Sequence, residues 1–224
     1  MKSFVRPWIA RWRQRWAESR SFYGKVKGVI HVGANLGQER FAYSWWGLDV
    51  IWIEPVPATF ELLCENLKDF PQQRAFCCLI TDRDGQEYTF HIADNAGASS
   101  SILPFARHKE MWPDISYSGE IELSSVTLDS FIARERIRSE HFEALVLDTQ
   151  GSELLILRGA VNLLRNLRFV TVEVPDFESY TGCCQLDEMN AFMNDHGFQE
   201  RHREQFRSLP GVGNYFDITY ESTS

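Results

Sequence analysis

Three carboxylates in this chain stand where a charge is costly. Glu54 closes the apolar run of residues 50–53, Asp148 closes residues 144–147, and Glu173 lies inside the apolar run 169–174. A carboxylate so placed needs a partner or a cleft. Upstream of Glu54, the apolar run 28–32 stops at Gly33-Ala34-Asn35-Leu36-Gly37, where glycines permit a tight turn and let the backbone approach a ligand. If the two runs are parallel neighbours, the Glu54 carboxylate lies beside that turn at the height of a ribose and can accept from both ribose hydroxyls. The glycine spacing is G-x-x-x-G rather than G-x-G-x-x-G, so the dinucleotide fingerprint is not met.

Further polar groups follow the other apolar runs. Thr81 and Asp82 follow the run 74–80, and Asp82 either receives an adenine amino group or joins Asp84 in a plain turn. Asp148 is followed by Gln150, Ser152 and Glu153; Ser152 has the type of a helix cap, and Glu153 suits a helix's positive end. Residues 93–119 are polar, proline-punctuated and carry Ser99-Ser100-Ser101, which reads as a functional loop or lid. His108 lies in it as a candidate general base.

The elements that must position these groups alternate in type. Strands are expected over 28–32, 50–53, 74–80, 144–147 and 169–174, with added strands at 87–92 and 121–126. Helices are expected over 57–68, 154–167 and 186–196, and Thr127 is placed to cap a short helix after 126. A closing antiparallel pair occupies 198–202 and 214–220. Such alternation implies an α/β fold with a mostly parallel central sheet, helices on both faces and an antiparallel edge. Ligands of such sheets bind at the carboxyl ends of the strands.

A length of 224 residues suits one domain, expected over 25–224, behind an N-terminal segment 1–24. In residues 2–20, Trp8, Trp12 and Trp16 recur among arginines as in a basic amphipathic helix. That helix fits either peripheral membrane contact or packing on the domain. Hydrophobic content of 44% and charged content of 24% argue against disorder, and no apolar run reaches membrane-spanning length. The net charge of −8 argues against general nucleic-acid binding. The five cysteines lack C-x-x-C spacing, which fits neither zinc nor a disulfide framework and suits a reducing cytoplasm; Cys77 and Cys78 read as small buried hydrophobes. The N-terminus shows no secretory signal.

Five stretches together resemble the FkbM family of S-adenosylmethionine-dependent methyltransferases: VIHVGANLGQE, IEPVPATFELLCENL, the TDRDG turn, the ASSSIL loop, and LDTQGSELLILRGA before Glu173-Val174. The resemblance implies a Rossmann-like methyltransferase fold with S-adenosylmethionine as cofactor. Carried over by position, it implies that Gly33, Ala34, Asn35 and Gly37 face the methionine part, Glu54 the ribose and Asp82 the adenine. Asp148 and Gln150 then border the methionine end and the acceptor pocket, which Glu153 and Glu173 support or line. Gln150 stands where many members carry an acid, and His31 where methyltransferases commonly carry one, which leaves Asp148 or Glu173 to balance a sulfonium. The implied activity is metal-independent O-methylation of a hydroxyl on a sugar, glycan or natural product, with Asp148 first, then His108 or Glu173, as proton acceptor. Two alternatives are a non-catalytic module acting through its N-terminal helix and a nicotinamide-dependent oxidoreductase.

Overall fold

The computed structural model describes residues 20–223. Trp8, Trp12 and Trp16 lie outside the described residues. Parallel strands β1 (Gly28–Val32), β2 (Asp49–Glu54), β3 (Gln73–Cys77), β7 (Ala144–Leu147) and β8 (Phe169–Pro175) form most of a seven-stranded sheet. Its order is β3-β2-β1-β7-β8-β10-β9, closed by the hairpin of β9 (Phe198–Leu209) and β10 (Gly213–Ser222). β10 runs antiparallel to both neighbours and supplies the expected antiparallel edge. Among the described residues no helix is long and apolar enough to cross a membrane.

Side-chain alternation divides the core between two faces. Ile30, Ile51, Leu145, Val170 and Ile218 face one way. There they meet α5 (Leu128–Arg134), α6 (Glu153–Arg158) and α8 (Leu186–Asp195) through Phe131, Leu157 and Met193. Val29, Val50, Trp52, Ala144 and Phe169 face the other way, against Phe22 of α1 (Arg20–Tyr23), Tyr43 of α2 (Arg40–Trp45) and Leu63 of α3 (Pro57–Asn66). The core therefore begins ahead of residue 25, because Phe22 and Tyr23 are buried in it.

Several boundaries differ from expectation for tertiary reasons. The run 74–80 is two strands: β3 ends at Cys77, and β4 (Leu79–Thr81) joins a separate three-stranded sheet, β4-β6-β5. That sheet holds β5 (Glu87–Ala93) and β6 (Tyr117–Thr127), so the added strands do not extend the main sheet. Because β3 is an edge strand, Cys77 is exposed, and Cys78, between β3 and β4, is half-buried, contrary to the expectation of two buried hydrophobes. The helix expected over 154–167 breaks after Arg158 and resumes as α7 (Val161–Leu164). At the break, a Cβ on Gly159 would stand 2.3 Å from the Thr81 carbonyl oxygen, a contact no side chain allows. Asp129 carboxylate oxygens then accept from the backbone N–H of Asn162 and Leu163 at 2.9 Å, starting α7. Thr127 caps α5 as expected, its Oγ1 accepting from Ser130 N at 3.1 Å.

Candidate active site

Three strand ends and one loop border a cleft of about 740 Å³, measured out to its open mouth. Its floor is the turn after β1. There Gly33 and Ala34 N–H both bond the Ile53 carbonyl at 3.0 and 3.1 Å, so these donors stitch β1 to β2 rather than face the cleft. Gly33 must be glycine: its φ is +82°, and a Cβ would lie 2.0 Å from the Asp148 carbonyl oxygen. Asn35, in the left-handed region with φ 46°, donates its backbone N–H to Glu54 Oε2 at 2.9 Å. Val56 N–H reaches Glu54 Oε1 at 3.0 Å. The acid at the tip of β2 is thus fixed against the glycine turn by one backbone donor on each oxygen. Burial pushes its pKa up to about 7, with the two backbone hydrogen bonds opposing that rise.

The turn after β7 is the second wall. Asp148 Oδ1 accepts from Gln150 Nε2 at 2.8 Å, and Gln150 adopts φ 56° before Gly151 at φ 102°. Glu153 is the buried organiser of this turn. Its carboxylate accepts from Thr149 N–H at 2.9 Å and Gly151 N–H at 3.0 Å, and burial raises its pKa to about 7. Ser152 does not cap α6; its hydroxyl donates to the Thr149 carbonyl at 3.1 Å instead.

The serine-rich loop is the roof. Gly97, Ala98 and Ser100 line the cleft, Asn35 Nδ2 donates to Ala96 O at 3.1 Å, and Ser101 Oγ donates to Gln150 O at 2.8 Å. The loop is therefore tied to both turns. A second cavity, about 690 Å³ to its mouth, adjoins the first and shares His31, Glu39 and Asp148 with it. Glu173, Glu204 and Asp217 line its far side.

The sequence-predicted residues separate on this geometry. Gly33, Ala34, Asn35, Glu54, Asp148 and Gln150 converge on the cleft, and Glu173 on the adjoining cavity. Gly37 stands outside the lining, packed so that a Cβ would meet Leu63 Cδ1 at 2.7 Å. Asp82 is also outside, 3.7 Å from the Arg83 guanidinium, because the chain leaves the main sheet at Cys77. Cys78, Leu79 and Ile80 take the place expected for it. His108 lines neither cavity: it begins α4 (His108–Met111), buried against the Phe105 and Trp112 rings with centroids 4.4 and 4.8 Å away. Burial, and secondarily the charge of Lys109, lowers its pKa to about 4. His31 packs on Trp52 at 4.8 Å and bonds the Tyr43 hydroxyl at 3.0 Å. Glu39 and Phe90 were not singled out by sequence reasoning; of these only Glu39, a charge in the glycine turn segment, carried a readable signal, and Ser100 belongs to the serine run read as a functional loop.

A parallel sheet with an antiparallel strand beside β8, a glycine turn under an acid-tipped β2 and a cleft at the strand ends define a Rossmann-like methyltransferase fold. Among solved structures, an uncharacterized protein from Listeria monocytogenes serotype 4b matches with a TM-score of 0.55 at 10% identity, covering 94% of this chain and 68% of that one. Magnesium protoporphyrin IX methyltransferase ChlM from Synechocystis PCC 6803, with bound SAH, matches with a TM-score of 0.54 at 6% identity over 96% and 82%. The chain belongs to the methyltransferase FkbM domain family, whose model matches residues 31–200. It is 27% identical over 143 residues to the hexuronic acid methyltransferase AglP of Haloferax volcanii, covering 64% of this chain and 54% of that protein. The chain thus spans about half the length of this curated relative.

Proposed function

We propose that this chain transfers a methyl group from S-adenosylmethionine to a hydroxyl of a sugar, glycan or natural product without a metal. The observation that carries the reading is the position of Asp148, a carboxylate on the wall shared by the glycine-turn cleft and its neighbouring cavity. When bound, the cofactor would supply a sulfonium methyl, the electron pair of the broken carbon–sulfur bond returning to sulfur. The cleft residues fit it: Glu54 keeps lone pairs beyond its two backbone bonds for ribose hydroxyls, while Leu79, Ile80 and Phe90 offer an apolar slot for a purine. Glu39 and Asp148 bring carboxylates to the cleft lining, where they would balance the charge of a sulfonium. Asp148 takes the proton that the attacking hydroxyl loses as its oxygen bonds the methyl. Much of the rate in such an in-line displacement comes from alignment, which the loop roof and the Glu153-braced turn supply. A sugar acceptor is supported by the likeness to a hexuronic acid methyltransferase.

Calorimetric titration with S-adenosylmethionine and S-adenosylhomocysteine tests the cofactor half. Saturable binding lost in Glu54→Ala is expected; a folded protein without saturable binding overturns the reading. Transfer of labelled methyl to monosaccharide and glycan pools, lost in Asp148→Asn while binding persists, tests the other half. Transfer undiminished in Asp148→Asn would remove Asp148 as the base.

A further inference from the structure

Asp148 has a cavity on each side, so packing alone does not choose its rotamer. Among the described residues, its carboxylate is held by one side-chain hydrogen bond, from Gln150 Nε2 to Oδ1 at 2.8 Å. Gln150 in turn meets Tyr180, whose hydroxyl lies 2.9 Å from Gln150 Oε1. The direction of this chain is fixed by chemistry. An ionised carboxylate only accepts, so the amide nitrogen must face Asp148, its oxygen must face Tyr180, and the tyrosine must donate.

We propose that Tyr180 is a positioning residue, which locks the Gln150 amide and through it the Asp148 carboxylate, leaving Oδ2 for the acceptor's proton. The proposal rests on the methyl-transfer reading for its function, though not for its geometry. Tyr180 is built for the role. It is 1% exposed and comes from the segment after β8, where it forms a bridge pair with Phe105 of the roof loop. Its burial keeps the hydroxyl protonated far above the usual tyrosine range, so it remains a donor. The second acceptor within reach, the Ser99 carbonyl, is farther away at 3.4 Å. The Gln150 backbone is held independently, by Ser101 Oγ on its carbonyl and by Glu153 on the flanking N–H groups of Thr149 and Gly151. Loss of the Tyr180 hydroxyl therefore frees the Gln150 side chain without releasing its main chain. Hydrogen bonds in such a series polarise one another, so removing the far donor weakens the near one.

The experiment is carbon and nitrogen NMR of the full chain with labelled Asp and Gln side chains. The Asp148 carboxyl signal is assigned by its loss in Asp148→Asn, and the Gln150 amide pair by its loss in Gln150→Leu. Tyr180→Phe is expected to shift both signals. Gln150→Leu is expected to shift the Asp148 signal, and adding Tyr180→Phe to it is expected to shift that signal no further, since the coupling runs through Gln150. A folded Tyr180→Phe protein with both signals unmoved overturns the proposal, and so does a fully additive double variant, which would mean that Tyr180 acts by packing. If Tyr180→Phe does not fold, an unmoved Asp148 signal in Gln150→Leu overturns it instead. Calorimetry with S-adenosylmethionine on the same samples keeps the two readings apart: absent binding with the NMR shifts in place removes only the methyl-transfer role.

Discussion

Two buried carboxyls set the pH behaviour of the site. Glu54 and Glu153 both titrate near pH 7 in the folded chain against about 4.5 when exposed, because burial disfavours their charged forms. The raised values mean that their contribution to stability is complete below about 4.5 and lost as pH rises to about 7, so the ligand-free protein should lose resistance to urea across that window. Ribose hydroxyls donate best to an ionised Glu54, so affinity for S-adenosylmethionine should rise about tenfold between roughly pH 6 and 8. In Glu54→Gln that rise should vanish, and parallel pH curves for the two proteins, measured by calorimetry, would sink the assignment. Glu153→Ala strips partners from the Thr149 and Gly151 N–H groups and should lower unfolding free energy by roughly 2–3 kcal/mol. An unchanged urea midpoint would mean that water replaces the carboxylate. Glu54 and Asp148 were legible because an acid at the tip of an apolar strand is costly unless a cleft or a partner receives it. Phe90 was not, since only the packing of a second sheet brings it to the cleft, and the serine run was legible as a functional loop without showing that Ser100 is the serine that lines the cleft with Gly97 and Ala98.

The elements that hold these residues were read best where periodicity alone decides them. The buried strand GVIHV and the acid-tipped DVIWIE form at their expected places. The run 74–80 reads as one strand because nothing local marks Cys78 as the point where the chain passes from one sheet to another. The break in the helix expected over 154–167 is likewise tertiary. Gly159 has an ordinary helical-side φ of −88°, so its need for glycine comes from the Thr81 carbonyl that presses on it and not from its own backbone. Gly159→Ala should therefore cost about 2 kcal/mol or more by overpacking, and it should loosen β4, whose Leu79 and Ile80 line the cleft. Gly85→Ala makes the contrast: its φ of +70° faces open space, so only the backbone preference of roughly 1 kcal/mol is lost. Chemical denaturation of the two variants side by side checks this, and a Gly159→Ala protein as stable as Gly85→Ala would show that the contact relaxes freely.

At the scale of the whole molecule, alternation of strand and helix was enough to give a mostly parallel sheet with an antiparallel edge, because crossover connections leave few other arrangements. The edge of the domain needs a test of its own. An expected boundary after residue 24 separates Phe22 and Tyr23 from a core they belong to: Phe22 stacks on Phe169 with centroids 5.6 Å apart, and Tyr23 meets Tyr43 edge-on at 5.5 Å. Aromatic residues just before a glycine look like the end of a tail when the strand that receives them lies far along the chain. A protein spanning residues 20–224 should keep this packing, whereas one spanning 25–224 should lose at least the roughly 3–5 kcal/mol that removing one buried aromatic side chain costs. Urea unfolding of the two truncations measures the difference directly. The shorter one should also lose affinity for S-adenosylmethionine, because Phe22 and Tyr23 line the cavity that shares His31, Glu39 and Asp148 with the cleft. Equal midpoints would show that these two rings ride on the domain without supporting it, and the boundary would then fall after residue 24.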